Sequence, residues 1–131
     1  MYPRVRSVSM NGNMNGSSWY TDLIQETYYT FRKYGEIINP SPSKAFVFID
    51  ERPEDIDDWY FLVFMDRESS WGNMPAIYHN GASGLSFADG HAEIRKWVDP
   101  DTLSSKVPAN PQGPNDVPWI QERTSASMRV D

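Results

Sequence analysis

The chain has 131 residues, a length that suits one domain better than two. Its formal net charge is −6 and its pI about 4.8, so it has the wrong sign to neutralise phosphates and we expect no nucleic-acid partner. It has no cysteine, which excludes a disulfide framework, a zinc-thiolate site and a thiol nucleophile.

The first part of the sequence predicts strands joined by turns. The alternation in "RVRSVSM", residues 4–10, predicts a strand, and the Asn/Gly-rich "MNGNMNGSS" after it predicts an irregular loop. Leu23, Ile24 and Thr27 have helical spacing, whereas "TYYTF" is aromatic and β-branched. We expect a strand near Tyr28 to Lys33 and leave the preceding residues open.

The middle of the sequence carries the clearest strand signal. "KAFVFID", residues 44–50, is an apolar run without alternation, which predicts a central strand buried on both faces. A single helical turn is expected from Pro53, because proline suits a first helical position and acids favour the same end. The apolar run "WYFLVFM", residues 59–65, predicts another strand.

Residues 84–97 predict a β-hairpin closed at Asp89-Gly90. A two-residue type I′ turn needs positive φ at both central residues, which this pair tolerates. The two-residue loop sets the register: Ala88 faces His91, Phe87 faces Ala92, Ser86 faces Glu93 and Leu85 faces Ile94. One face then carries Leu85, Phe87, Ala92 and Ile94 and the other Ser86, Ala88, His91, Glu93 and Arg95. We expect the first face to be the core.

The C-terminal residues 101–131 are rich in proline and predict a mostly extended tail, with Trp119 and Ile120 as its anchor. Residues 1–100 are expected to hold the sheet. The whole chain, 1–131, is therefore predicted to be a single α+β domain that is mainly antiparallel β, with long loops.

Both histidines of the chain lie around this hairpin, which raises the question of a metal site. If Asn80-Gly81 closes a tight turn, His79 and His91 lie at opposite ends of a strand, roughly 16 Å apart at ~3.3 Å per residue. A zinc ion needs its ligand atoms within ~2 Å, so we predict no shared metal site. Asp89 or Glu93 beside His91 could serve acid–base chemistry, but we favour a structural role in the turn and assign no catalytic residue.

Two further readings concern calcium and sugars. "DERPEDIDD", residues 50–58, has six carboxylates and could supply hard oxygen ligands, as could the loops around Asp99 and Asp101 or Asn115 and Asp116. Calcium therefore stays open as a cofactor. The three tryptophans in loop-like contexts could stack on sugars, although capping the core is the favoured role; they are Trp19, Trp71 and Trp119. The alternative function is a surface-displayed calcium-dependent or carbohydrate-binding module.

The sequence also carries a family resemblance. His79, nine intervening residues and Asp89-Gly90 match the H-X9-DG pattern of bacterial prepilin-type proteins, and "HNGASGLSFADGHAEIRKW" resembles its usual form. The segments "RSVSMNG", "PSPSKAFVFIDERPEDIDD" and "NDVPWIQERT" resemble further family blocks in the expected order. The chain thus resembles the soluble C-terminal part of a pseudopilin-like protein of the type II secretion and type IV pilus group.

The resemblance implies a non-enzymatic structural subunit of a pseudopilus or pilus-like filament. Its partners would be other pilin or pseudopilin subunits and the secretion machinery, on the periplasmic or extracellular face of the inner membrane. The family's leader and apolar anchoring helix are missing from this sequence, so membrane contact is expected only through that missing helix. One face of the sheet is then expected to lack its normal cover. The family motif carries over no catalytic residue and no metal ligand.

Overall fold

In the computed structural model, residues 7–15, 19–24, 27–56 and 59–128 are described. They form an α+β fold with one five-stranded, mostly antiparallel sheet in the order β3-β1-β2-β4-β5. The strands are β1 Val8–Asn11, β2 Phe46–Asp50, β3 Tyr60–Phe61, β4 Ala82–Phe87 and β5 Ala92–Lys96. The helices are α1 Trp19–Ile24, α2 Tyr78–Gly81, α3 Pro100–Leu103 and α4 Asp116–Thr124. The predicted α+β class with a mainly antiparallel sheet is confirmed.

The predicted strand at residues 44–50 does lie at the centre of the sheet. Within β2, Ile49 pairs with Ser9 of β1 on one side and Leu85 of β4 on the other. An irregularity between Phe46 and Phe48 shifts the register of β2 against β4. Because a bulge of this kind breaks strict alternation, Phe46 and Ile49 both reach the same buried side.

One face of the sheet carries the core, which is built largely from aromatic rings. Consecutive pairs of rings meet edge to face at centroid distances of 5.6–6.4 Å, a favourable geometry for aromatic contacts. The rings in this series are Phe46, Phe61, Trp71, Trp97 and Trp119. Val117 and Ile120 of α4 belong to the same cluster, so α4 covers this face.

The opposite face of the sheet is apolar and only partly covered: a second hydrophobic cluster packs against Met10, whereas the part around Phe48 and Ile94, called the uncovered face below, is exposed. Phe48 is 45% exposed and Ile94 is 71% exposed. Val8 and Trp59 lie on the same side and are 38% and 74% exposed. The prediction that residues 44–50 are buried on both faces is therefore wrong, because only one side of β2 packs into the core.

The strand predicted near Tyr28 to Lys33 is also wrong. This segment makes isolated bridges, Tyr28 to Ser127 and Met14 to Phe31, instead of a ladder. The residues left open before it include α1, which is held by Tyr20. The buried Tyr20 hydroxyl donates to Asp66, and burial with that contact raises its pKa to about 12.

Other segments differ in extent. The 3₁₀ turn at Pro53–Asp55 confirms the predicted helical turn. The strand predicted at residues 59–65 is only the two residues of β3, because the next amide, Leu62 N–H, donates to the Asn73 side chain (2.7 Å) rather than to a neighbouring strand. Among the described residues, no helix has the length and apolar character needed to cross a membrane.

The prediction of an extended tail is wrong for residues 116–124. Here α4 forms because Val117 and Ile120 are buried against the core, 1% and 0% exposed, and this burial outweighs the local proline signal. Pro118 lies in the first turn, where its missing N–H removes no intrahelical hydrogen bond.

The two faces of β2 give a direct test of the fold. Ile49→Ala should lower the free energy of unfolding by about 2–5 kcal/mol, because it leaves a cavity in the core. The adjacent change Phe48→Ala should cost no more than about 1 kcal/mol, because that ring is half exposed. Urea unfolding followed by tryptophan fluorescence measures both, and equal losses would contradict the assignment of the faces.

Candidate functional site

The hairpin closes through three residues, 88–90, rather than the two predicted. Phe87 N–H donates to His91 O and Gly90 N–H donates back to Phe87 O, both at 2.9 Å. Gly90 has φ of 96°, the left-handed conformation that ends a three-residue hairpin loop. The amides of Ala88 and Asp89 donate to the loop at residues 42–45, which holds the longer turn in place.

The predicted register is therefore wrong by one residue. Leu85 pairs with Glu93 and Ser86 pairs with Ala92. Because facing residues in a ladder share a side of the sheet, Ala92 and Ile94 point to the uncovered face. His91, Glu93 and Arg95 therefore lie at the rim of the core side, whereas Ser86 stays on the face of Ala92.

The turn brings together the acids and the histidine that the sequence singles out. His91 Nδ1 contacts Asp89 Oδ1, and Nε2 lies 2.9 Å from Glu93 Oε2. The imidazole stacks on the Phe87 ring with a centroid distance of 4.5 Å and an interplanar angle of 5°. The hydrogen bonds to Glu93 and Asp89 raise the pKa of His91. The hydrogen bond between His91 and Asp89 lowers the pKa of Asp89.

Asp89 and Glu93 hold the His91 ring between their carboxylates and so stabilise the turn, an arrangement called the clamp below. Asp89 Oδ1 also accepts the His91 backbone N–H at 3.1 Å, which closes the local turn that we expected of Asp89. Both ring nitrogens of His91 already have carboxylate partners. The side chains of His91, Asp89 and Glu93 are 39%, 35% and 50% exposed, so the cluster lies in contact with solvent.

His79, the histidine of the H-X9-DG motif, lies just before β4, at the end of that strand far from His91. Its backbone belongs to α2, whose last residue, Gly81, accepts the N–H of Trp97 at 3.0 Å. The residues of β4 separate this turn from His91, roughly 20 Å at ~3.3 Å per residue. The side chain of His79 lies outside what the structure describes. The backbone geometry agrees with the expected separation of the two histidines.

The calcium candidates in the C-terminal region form a reciprocal capping pair. Asp99 Oδ2 accepts the backbone N–H groups of Asn115 (2.9 Å) and Asp116 (2.6 Å). Asp116 in turn accepts the N–H groups of Val98 (3.1 Å) and Asp99 (2.9 Å). Both carboxylates are buried, 2% and 0% exposed. Their oxygens thus serve backbone amides at the start of α4 and the end of the hairpin.

The acidic segment at residues 50–58 is used in a similar way where it is described. Asp50 Oδ2 accepts the Gly84 N–H at 3.0 Å, and Asp55 Oδ2 accepts the Met74 N–H at 2.8 Å. The last two acids, Asp57 and Asp58, lie outside the described residues. Within the described parts of the chain, no group of three or more His, Asp and Glu residues is arranged to hold a metal ion.

The tryptophans expected to cap the core do so where their side chains are described. Trp71 is 4% exposed and its indole donates to Thr102 Oγ1 at 2.9 Å. The guanidinium groups of Arg95 and Arg123 lie 4.5 and 3.9 Å from the ring centroid of Trp119. These cations occupy positions that a stacked sugar would need. The side chain of Trp19 is not described.

The structural role of Asp99 and Asp116 was not predicted, although the sequence around each carries a local signal. Asp99-Pro100 has the form of a helix start, with an acid before a proline at the first helical position. Asn115 and Asp116 precede Val117 in the same manner. What the sequence lacked was the information that these two starts lie side by side.

In comparisons with known protein families, curated proteins and solved structures, no match to this chain is found.

The aspartate pair predicts a large effect on stability. Asp116→Ala should lower the free energy of unfolding by about 2–4 kcal/mol, because it leaves the Val98 and Asp99 amides buried without an acceptor. Glu122→Ala, on the same helix but with an exposed side chain, should change it by no more than about 0.5 kcal/mol. Thermal and urea unfolding measure both, and a mild Asp116→Ala variant would contradict the role given to this carboxylate.

The His91 cluster predicts a pH dependence. Because the folded pKa of His91 is raised above its ordinary value of ~6.5, the stability that it contributes is fully present below about pH 6.5. This contribution is lost as the pH rises through the folded pKa. Glu93→Gln should lower the His91 pKa measured by NMR titration of the ring protons, whereas the distant Glu68→Gln should not. An unchanged His91 pKa in Glu93→Gln would contradict the clamp.

Proposed function

We propose that this chain is the globular domain of a structural subunit in a pseudopilus or pilus-like filament of the type II secretion group. It is held on the periplasmic or extracellular side of the inner membrane, and its partners are other pilin-like subunits and the secretion machinery. In this role the domain needs no catalytic residue. It is supported by the ordered family blocks in the sequence and by one structural observation, the uncovered apolar face of the sheet.

The uncovered face is unusual for a sheet exposed to water. An antiparallel sheet with one wet side normally places polar residues there. Here the outward positions on three different strands are occupied by Val8, Phe48 and Ile94. Contiguous apolar surface of this kind marks a site that another element covers.

The shape of this face suits a helix. Phe48 on β2 and Ile94 on β5 form two walls, and the small residues Gly84 and Ser86 of β4 lie between them. Two strand spacings of ~4.8 Å set the walls about 10 Å apart, close to the ~10–12 Å diameter of a helix with its side chains. The resulting hollow has a volume of about 550 Å³.

The occupant that we propose is an apolar helix of the prepilin type. An apolar helix gains from burial against Phe48 and Ile94, at about 25 cal/mol per Å² of apolar surface removed from water. Gly84 adds no side chain of its own, and the Asp50 carboxylate that lies over it already accepts the Gly84 N–H at 3.0 Å.

Photo-crosslinking in the producing bacterium tests the proposal. A photoreactive amino acid at position 48 should form a product whose crosslinked peptide, identified by mass spectrometry, is the apolar N-terminal helix of a pilin-like subunit. The product should occur in sheared surface filaments or the membrane fraction, and it should be lost when the prepilin peptidase is inactivated.

The matched control is position 106, where Lys106 is exposed and lies outside the groove. The same amino acid there should give no crosslink to such a helix. A crosslink from position 48 to a different class of protein, or a product that persists without the peptidase, would contradict the filament assignment.

A further inference from the structure

Strand β5 forms one edge of the sheet, and its backbone has a defined free side. It pairs with β4 and with no other strand in the described part of the chain. The His91 carbonyl and the Trp97 amide both bond towards β4. Because such bonds alternate along an antiparallel strand, Glu93 and Arg95 also bond towards β4. The amides and carbonyls of residues 92, 94 and 96 therefore point to the free edge.

This geometry limits how a second copy of β5 can pair with the edge. In an antiparallel pair, outward-pointing residues must face each other to exchange hydrogen bonds. Three central registers satisfy this condition: residue 94 opposite 92, 94 opposite 94, or 94 opposite 96. The intervening residues, Glu93 and Arg95, then decide among the three.

Only the symmetric register pairs opposite charges. With Ile94 opposite Ile94 of the second copy, Glu93 of each copy faces Arg95 of the other. A shift in one direction sets two glutamates opposite each other, and a shift in the other direction sets two arginines opposite each other. Opposite charges across a ladder stabilise it and like charges destabilise it.

We propose that β5 pairs with β5 of a second copy of this chain, antiparallel and about a two-fold axis at Ile94. The two sheets then join edge to edge, and the two Ile94 side chains, each 71% exposed in the single chain, cover one another. This contact does not depend on the filament proposal, because its hydrogen bonds are made by the backbone at the edge of the sheet.

The charges on β5 select this partner over other strands. Edge strands commonly carry charged residues that discourage pairing with unrelated chains, and β5 has Glu93, Arg95 and Lys96 among its five residues. In the symmetric register, the first two become complementary and Lys96 faces the small Ala92. Pairing of one five-residue strand with its copy is a small contact, in the class below ~1,200 Å², and it forms a transient, concentration-dependent dimer.

A charge-exchange experiment tests the register with the whole chain. Sedimentation equilibrium of the wild type should show reversible dimerisation as concentration rises. Glu93→Arg should weaken the dimer by roughly tenfold or more, because it sets arginine against arginine. Arg95→Glu should weaken it likewise, by setting glutamate against glutamate. An equimolar mixture of the two variants should restore association, because each pair across the axis is again of opposite charge.

Backbone and face variants complete the test. Ile94→Pro removes the outward N–H at the axis, and proline is tolerated where an edge N–H faces solvent, so the fold should persist by circular dichroism while the dimer is lost. This variant decides the question if Arg95→Glu, whose carboxylate would lie near Asp116, fails to fold. Phe48→Ser should leave the dimer intact.

Other results would contradict the pairing of β5 with a second copy of β5. A wild type that remains monomeric at every concentration, or a mixture that does not regain association, would overturn the proposal. So would a dimer that survives Ile94→Pro or that disappears with Phe48→Ser, since association would then use the apolar face.

Discussion

Two buried aspartates fix the position of the C-terminal helix relative to the sheet. A carboxylate buried without partners costs several kcal/mol, but Asp99 and Asp116 each accept backbone N–H groups from the segment that carries the other. The end of the hairpin and the start of α4 therefore hold each other in place. Trp97, between them in the fold, contacts both Trp71 and Trp119. Without this pair, the start of α4 would lose the buried hydrogen bonds that fix its position against the end of the hairpin.

The hydrogen bonds between the Asp99 and Asp116 segments also explain why the main core lies on one face of the sheet. The segments that return to the sheet after β5 pack on the face that holds Ile49 and Trp97. Among the described residues, the other face is covered only in part, by the cluster that includes Phe31, and Phe48 and Ile94 remain exposed there. A sheet of five strands with one dry face can be stable, and its second apolar face is then free to bind a partner.

The parts of the fold that the sequence predicted are those set by local chemistry. The hairpin around Asp89-Gly90, the turn at Pro53 and the central strand at residues 44–50 follow from turn residues and apolar runs. The parts that it missed depend on distant contacts. The hairpin gained a loop residue because Ala88 and Asp89 bond to residues 42–45.

The same distinction applies to the candidate site. The sequence placed Glu93 beside His91, because residues two apart on a strand share a side, and Asp89 beside His91 in the turn. It could not show that Asp99 and Asp116 serve each other's amides, since that pairing spans the end of the hairpin and the start of α4. At Asp99 and Asp116 the local sequence suits either a calcium ligand or an acceptor of backbone N–H groups, and only the fold shows that these carboxylates bond to amides.

The two contacts that we propose use different directions of the same strand. In a β-strand, side chains stand perpendicular to the sheet, whereas the backbone hydrogen bonds lie in its plane. Ile94 therefore directs its side chain to the apolar face and its N–H and C=O groups to the free edge. A helix packed on the groove and a second strand paired at the edge can therefore contact Ile94 at the same time, the helix through its side chain and the strand through its backbone. Edge pairing would also set two grooves side by side on one continuous face, which aligns the helices that fill them.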